Sequence, residues 1–469
     1  MKVLHERVAG IDVHKDMVKV AIRSPGEKPW TRKTEILEFK TFYGVLQHMA
    51  AELIGVLQKM ARDLRARGVT HVAMEASGIY TDPVYYALCE EDFEEVLVVN
   101  PAHVKALKGH KTDARDCARI AEYLECGLLQ GSYIPPAELK EVRDLTRYRI
   151  KTVQARTSEI QRLDKALESA GIKLGSVASD ITGRGPTAMI EKLIDGERRG
   201  KVMADLAIGR ARSAGKLADL SMALEGRFTD HHALMCRLHL DRIKVFDAAV
   251  AGLDRRIAAL AAPWQREIDL LKTTPGFGDV VAWAWIAEIG PAPQQWFASC
   301  DRLASWVSLA PGNYVSAGKR RYGRTGDAGT YIKPMLVQAA WSAIRVKGRL
   351  QARYNKLVRR MGGPENPAAR KKAIVATAHT LLKIAYSVLK TGRAYQDLGE
   401  DFYTRRETPG QRQAWLERQI QKLYPGRTVT VTIGPHPDPG REPAPEAGLP
   451  SARAQLHPAA LNPGAARTH

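Results

Sequence analysis

Residues 7–130 carry an ordered succession of strand and helix signals, and that order restricts the fold more than any other feature. Arg7–Val13 and Met17–Arg23 are short β-type runs, separated by a hairpin-like punctuation at His14-Lys15-Asp16. A third, more polar strand is expected at Lys33–Phe39. From Tyr43 to Arg67, Leu46, Met49, Leu53, Leu57, Met60 and Leu64 recur at three- and four-residue steps, the period of a helix with one apolar face. Thr70–Glu75 reads as a strand, and Asp82-Pro83 opens a helix with proline in its first turn. Glu95–Asn100 is a buried strand and Asp113–Cys126 another helix. Three strands followed by helix, strand, helix, strand, helix predict an α/β domain with a mixed sheet.

After Pro135-Pro136 the texture changes to long charged helices. Ile243, Phe246, Val250, Leu253, Ile257 and Leu260 keep the three-four spacing of a coiled-coil seam. Ala137–Ala170 is similar but less regular; the two segments could pair as an antiparallel hairpin, form a dimer contact, or pack within one core. Gly171–Gly215 between them reads as an irregular insertion. Four regions follow: 1–133, α/β; 134–270, a long helical, coiled-coil-like linker with the insertion at 171–215; 271–401, mostly helical; and a tail, 402–469. Beyond Thr408 there are ten prolines in 61 residues, so the tail is expected to be disordered.

Charge separates these regions. The chain carries a formal net charge of +20, and a polyanionic partner explains such an excess. Residues 1–130 hold 18 basic and 19 acidic side chains, whereas residues 301–375 hold 16 and 3. One region is thus carboxylate-rich and near neutral, and a later one is an anion-binding surface. No run approaches 18 apolar residues, which argues against a membrane span. The start lacks the pattern of a signal peptide, and five cysteines without a CxxC pair suggest neither a disulfide framework nor a zinc site. A reducing cytoplasm fits these features.

The carboxylates stand at informative positions. Asp12 lies in the first strand, and Glu75 ends the fourth, where open α/β sheets place their sites. Asp113 and Asp116, three apart at a helix start, share a face. Four carboxylates from three elements can converge, and Mg2+ is the usual hard-oxygen answer to their repulsion. Two such ions about 4 Å apart would activate a nucleophile and stabilise a leaving oxygen of a phosphodiester. Taken singly, each acid is also an ordinary surface or capping residue. His14 beside Asp12 could touch a metal-bound water, but a solvated turn histidine is the better reading.

Gly10-Ile11-Asp12-Val13-His14-Lys15, then Met74-Glu75-Ala76-Ser77-Gly78-Ile79-Tyr80, then Val99-Asn100-Pro101 through Lys111-Thr112-Asp113-Ala114-Arg115-Asp116 resemble successive signatures of the IS110-family transposases, which include the IS1111 group and Piv-type invertases. The resemblance implies a RuvC-like, RNase H-like domain with Asp12, Glu75, Asp113 and Asp116 as its DEDD metal-binding tetrad.

Further along, Thr274-Pro275-Gly276-Phe277-Gly278 resembles a helix–hairpin–helix turn, whose glycines let free amides approach a phosphate. A simple turn between two helices would read the same way. Ser316 precedes Lys319, Arg320, Arg321 and Arg324, which could bind a phosphate and offset developing charge. Thr273 to about Ala340 is similar to the C-terminal transposase domain of the same family, and Ser316 falls on its nucleophilic serine. Lys371–Ala376 through Tyr395 follow the family pattern too. Ser308 stands where the family has glycine and offers a rival serine; Ala317 replaces another glycine, and Ile332-Lys333-Pro334 a Leu-Arg-Arg type sequence. Lys111, Lys319, Arg320, Arg321, Arg324 and Lys333 are the expected nucleic-acid contacts. The family further implies donor and target DNA as substrates, a noncoding guide RNA and dimers joining into a tetramer. The alternatives are a junction resolvase that uses water as nucleophile and a non-catalytic nucleic-acid-binding protein.

Overall fold

The computed structural model describes residues 3–28, 30–40, 50–101, 104, 113–311, 314–316, 319–322, 325, 329–403 and 409–424. Five strands form the N-terminal sheet: β1 (Val8–Val13), β2 (Met17–Pro25), β3 (Arg32–Lys40), β4 (His71–Glu75) and β5 (Glu95–Val99). Their order is β3-β2-β1-β4-β5. The pairs β1–β2 and β2–β3 are antiparallel, whereas β1–β4 and β4–β5 are parallel. This is the expected mixed, RNase H-like sheet. Central β1 and β4 are apolar on both faces because helices cover both. Polar β3 occupies an edge, where charged side chains discourage further pairing.

Two helices, α1 (Ala50–Ala66) and α2 (Thr81–Cys89), cover one face: Met60, Leu64, Val84 and Leu88 join Ile11, Val20 and Met74 in one core. On the other face lies α3 (Asp113–Glu125), with Cys117, Ile120, Ala121 and Leu124 against Val8, Ala73 and Val99. The buried carboxylate of Glu125 is gripped by Arg23 of β2 and Arg32 of β3, tying the last turn of α3 to the sheet edge. The first residues expected in the α1 helix, 43–49, lie outside the described residues.

Two long helices follow, α4 (Ala137–Ser169) and α9 (Asp230–Ala261). Their ion pairs run in opposite order along the two chains, Arg149 with Asp254, Arg156 with Asp247 and Glu159 with His239, so the helices are antiparallel neighbours. Ile243 and Ile257 of the expected seam are buried, and Phe246, Val250, Leu253 and Leu260 are half-buried.

The segment between them corrects one expectation. Residues 171–215 are not wholly irregular: four short helices, α5 (Leu174–Val177), α6 (Arg184–Ile194), α7 (Gly200–Ala204) and α8 (Ala214–Ala223), lie within 174–223. Ile172, Leu174, Met189, Ile190, Leu193, Met203 and Leu220 form a core there with Leu163 and Leu167 of α4 and Leu240 of α9. Glycines between short helices resemble a loop in sequence, yet each helix has an apolar side to bury.

The C-terminal region is built from α10 (Gln265–Lys272), α11 (Asp279–Ile289), α12 (Cys300–Trp306), α13 (Ile332–Ala343), α14 (Arg349–Arg360) and α15 (Pro367–Thr391), with a small hairpin of β6 (Tyr314–Ser316) and β7 (Lys319–Tyr322). Its core gathers Trp285, Leu303, Leu336, Leu381 and Leu382. The turn joining α10 to α11 owes its glycine to packing inside the protein. Gly276 has φ +84°, and a Cβ on it would stand 2.1 Å from the Ala339 carbonyl oxygen of α13.

Residues 402–469 form a separate unit. Within it α16 (Pro409–Leu423) is helical, which corrects the expectation of disorder for that stretch. Trp415, Leu416, Ile420 and Leu423 recur at helical spacing, and most prolines of the tail come after Tyr424. Among the described residues, no helix is long and apolar enough to cross a membrane.

Candidate active site

The site is set by register. Ile11 of β1 lies opposite Met74 of parallel β4, so the next residues, Asp12 and Glu75, stand side by side at the strands' C-terminal ends. Neighbouring strands are about 4.8 Å apart and paired residues share a face. That face is the one α3 covers. Gly10, two residues before Asp12, meets α3 directly: a Cβ there would lie 2.2 Å from the Cys117 carbonyl oxygen and 2.4 Å from the Ala121 nitrogen. Glycine is the residue that lets this helix settle on the strand.

Helix α3 runs against β1. Its last residue, Glu125, accepts through its carbonyl oxygen the backbone N–H groups of Leu4 (2.9 Å) and His5 (3.2 Å), before β1 begins. Its middle lies over Gly10. Its beginning, with Asp113 and Asp116, therefore points to the end of β1 where Asp12 stands. Burial pushes the Cys117 thiol up, and the nearby Asp12 charge adds to that shift. The structure thus directs Asp12, Glu75 and Asp116, and the backbone position of Asp113, to one end of the sheet.

The carboxylates are already partnered. Asp12 Oδ2 is 2.9 Å from His14 Nε2, with Asp12 mostly buried and His14 half-exposed. Asp116 accepts from Arg119 at 2.9 Å. His14, exposed in the turn that follows β1, thus reaches back to Asp12. Arg119 likewise follows Asp116 by one helical step. Among the described residues, no three His, Cys, Asp or Glu side chains are close enough to hold a metal ion. The chemistry of the donors nonetheless fits a hard cation, since Asp12, Glu75 and Asp116 offer oxygen only.

The serine belongs to another element. Ser316 ends β6 directly opposite Lys319, and Val315 lies opposite Arg320. The root of this hairpin is fixed by a bridge between Pro311 and Thr325 and by Lys333 Nζ, which donates to Thr325 Oγ1 at 3.1 Å. Arg321 also lies in β7, while Lys111 and Arg324 fall outside the described residues. Behind the root, Tyr331 carries Arg147 of α4 over its ring at 4.6 Å. Arg147 also donates twice to the buried carboxylate of Glu288, at 2.6 and 2.8 Å. The linker helix therefore anchors the base of the hairpin, a role for Arg147, Glu288 and Tyr331 that sequence reading missed.

The rival serine differs. Ser308 follows α12 with φ +58° and is 8% exposed. A left-handed residue explains why glycine suits this position.

Comparison with known proteins gives the family. Residues 9–172 match the DEDD_Tnp_IS110 transposase family, and residues 268–355 match the transposase IS116/IS110/IS902 family. Together they span more than half of the chain, which belongs to the IS110 family of transposases. Its members are enzymes that cleave and rejoin DNA. A curated relative, described as a probable family 20 transposase of Pseudomonas aeruginosa, is 27% identical over 277 residues, covering 58% of this chain and 71% of the relative. Two solved structures are also similar, Thermus thermophilus RuvC and T. thermophilus RuvC in complex with Holliday junction substrate. Their identities are 20% and 17%, each covers 27% of this chain, with 99% and 100% of their own lengths, and both have a TM-score of 0.21.

Proposed function

We propose that this transposase works through one composite site, made from the carboxylates of the N-terminal sheet and the serine of the C-terminal hairpin. Asp12, Glu75, Asp113 and Asp116 would hold Mg2+, two ions in the full tetrad. The observation that carries this reading is the β1–β4 register, which sets Asp12 beside Glu75 at the end of the sheet where α3 begins. When bound, the metal would polarise a DNA phosphodiester and stabilise the charge that develops on its oxygens. His14 would orient Asp12 and spread its charge.

Ser316 Oγ attacks phosphorus, forming a phosphoserine ester as the bond to the sugar oxygen breaks; that oxygen takes up a proton in place of the one Ser316 loses. The ester preserves the energy of the broken bond, so a second strand end can displace the serine and complete the exchange. Lys319, opposite it in register, with Arg320, Arg321, Arg324, Lys333 and Lys111, would bind the backbone phosphates. The left-handed, buried setting of Ser308 supports Ser316 as the nucleophile. Bringing the hairpin to the carboxylates is assigned to assembly on DNA, within one chain or between subunits of a dimer that pairs into a tetramer. A noncoding guide RNA would select donor and target DNA, in the cytoplasm at the nucleoid.

The experiment compares Ser316→Ala and Asp12→Asn on element-end DNA. The reading expects both to lose strand exchange, with Ser316→Ala also losing the covalent adduct; a Ser316→Ala protein that still cleaves at the native rate would exclude Ser316, and the absence of any protein adduct would then assign the attack to water. Sequencing of co-purified nucleic acid tests the guide, which requires a discrete RNA mapping beside the coding region.

A further inference from the structure

Basic side chains of the C-terminal region fall into two stripes that border one helix seam. On α14, Arg353, Lys356 and Arg360 are three and four residues apart, which places them along one side of the helix. On α15, Lys372, His379 and Lys383 are seven and four apart, again one side. Leu357 and Val358 of α14 pack with Ala373 of α15, and Ala376 lies beside them, so the helices meet next to both stripes.

Their charges act on one another. Burial holds the His379 imidazole below its ordinary value, and Lys383 and Arg353 push it the same way against the opposing pull of Asp301. Arg353 Nε is buried with no hydrogen-bond partner. Asp301 of α12, 2.8 Å from Lys383, is the acid that faces this seam among the described ion pairs. Arg360 and Lys372 are exposed at the turn end, with Arg370 and Lys371 beside Lys372. Those three cations are consecutive, and the first turn of α15 carries no acid to offset them. A polyanion would relieve their mutual repulsion.

We propose that the α14–α15 seam is a phosphate track for the backbone of duplex DNA, separate from the serine hairpin. The proposal rests on the transposase reading and adds a surface to it. Lys356, Arg360 and the whole of α15 lie beyond the matched residues 268–355. From Lys372 to Lys383 the helix rises about 16 Å, enough to follow several phosphates of one strand. Neither stripe contains Phe, Tyr or Trp. Single-stranded nucleic acid is held through stacking on such rings, and rows of basic side chains without them suit a stiff duplex.

The test uses the full chain and a short fluorescent DNA duplex, without divalent ion, so that binding is read independently of cleavage. Affinity is followed against NaCl for the wild type, Arg360→Gln/Lys372→Gln, and Lys192→Gln in α6 as a control. The track predicts that the double variant, with an unchanged thermal melt, loses about 2 from the slope of log affinity against log salt. Its affinity near physiological salt falls by at least on the order of tenfold, and the control matches the wild type. An unchanged slope in the folded double variant overturns the proposal. So does a larger loss on single-stranded RNA of the same length than on the duplex. Absence of the serine adduct would overturn the active-site reading alone and leave this slope intact.

Discussion

Replacing Gly10 by alanine tests how the site is built. The added Cβ would stand 2.2 Å from the Cys117 carbonyl oxygen and 2.4 Å from the Ala121 nitrogen, both backbone atoms of α3. No side-chain rotation relieves that clash, so the helix must retreat by about 1 Å to reach ordinary contact. Overpacking of this kind costs about 1–3 kcal/mol. In a unit of this size each kcal/mol lowers the melting temperature by about 2–8 °C. The same retreat carries Asp113 and Asp116 away from Asp12, and a misplacement of about 1 Å in a catalytic group costs on the order of 100-fold in rate. Activity should therefore fall far more than stability at a temperature where the variant remains folded. Gly252→Ala in α9 is the counterpart: nothing lies within 4 Å of its Cβ position, and the change should stabilise by about 0.5–1 kcal/mol. Thermal melts and DNA cleavage by both variants decide the matter. A Gly10→Ala protein with native melting and native cleavage would refute the placement of α3.

Glu288→Gln removes the carboxylate that pairs with Arg147 and, at 3.7 Å, with Arg143 of α4. Breaking a buried pair costs about 3–5 kcal/mol, here toward the lower value because Arg147 reaches solvent; chemical denaturation measures it. Proteolysis should also cut sooner near residues 311–331, because Arg147 would lose the partner that holds it over Tyr331. Glu159 gives a pH dependence. Burial raises its carboxyl pKa, but hydrogen bonds from His239 and Arg162 and the charges of Arg242 and Arg162 outweigh that and hold it below the ordinary 4.5. A depressed folded value contributes stability above the unfolded pKa, and this is lost as pH falls through the folded one. Wild-type stability should therefore decline below about pH 4.5 more steeply than that of Glu159→Gln; parallel curves would contradict the assignment.

Much of the N-terminal domain was legible because its signals are local. The apolar runs at β1, β4 and β5 and the leucine period of α1 need no knowledge of the partner surface. Strand ends and helical spacing were enough to direct Asp12, Glu75 and Asp116 toward one end of the sheet. Other features depend on contacts that sequence does not display. Short helices such as α6 and α7 offer too few turns for a period to stand out from their glycines. The glycine at 276 could be read as a turn residue, but its close packing on Ala339 depends on a helix that the sequence does not place beside it. The two basic stripes were visible only as an excess of charge until α14 and α15 were placed side by side.

The central claim is that Ser316 and the carboxylates act on the same phosphodiester. Mass spectrometry of the protein after reaction with element-end DNA, followed by nuclease and protease digestion, tests it most directly. The account predicts a nucleotide-modified peptide carrying the adduct on Ser316, formed with Mg2+ and lost in Asp12→Asn. Cleaved DNA without any protein adduct, or an adduct on Ser308, would contradict it.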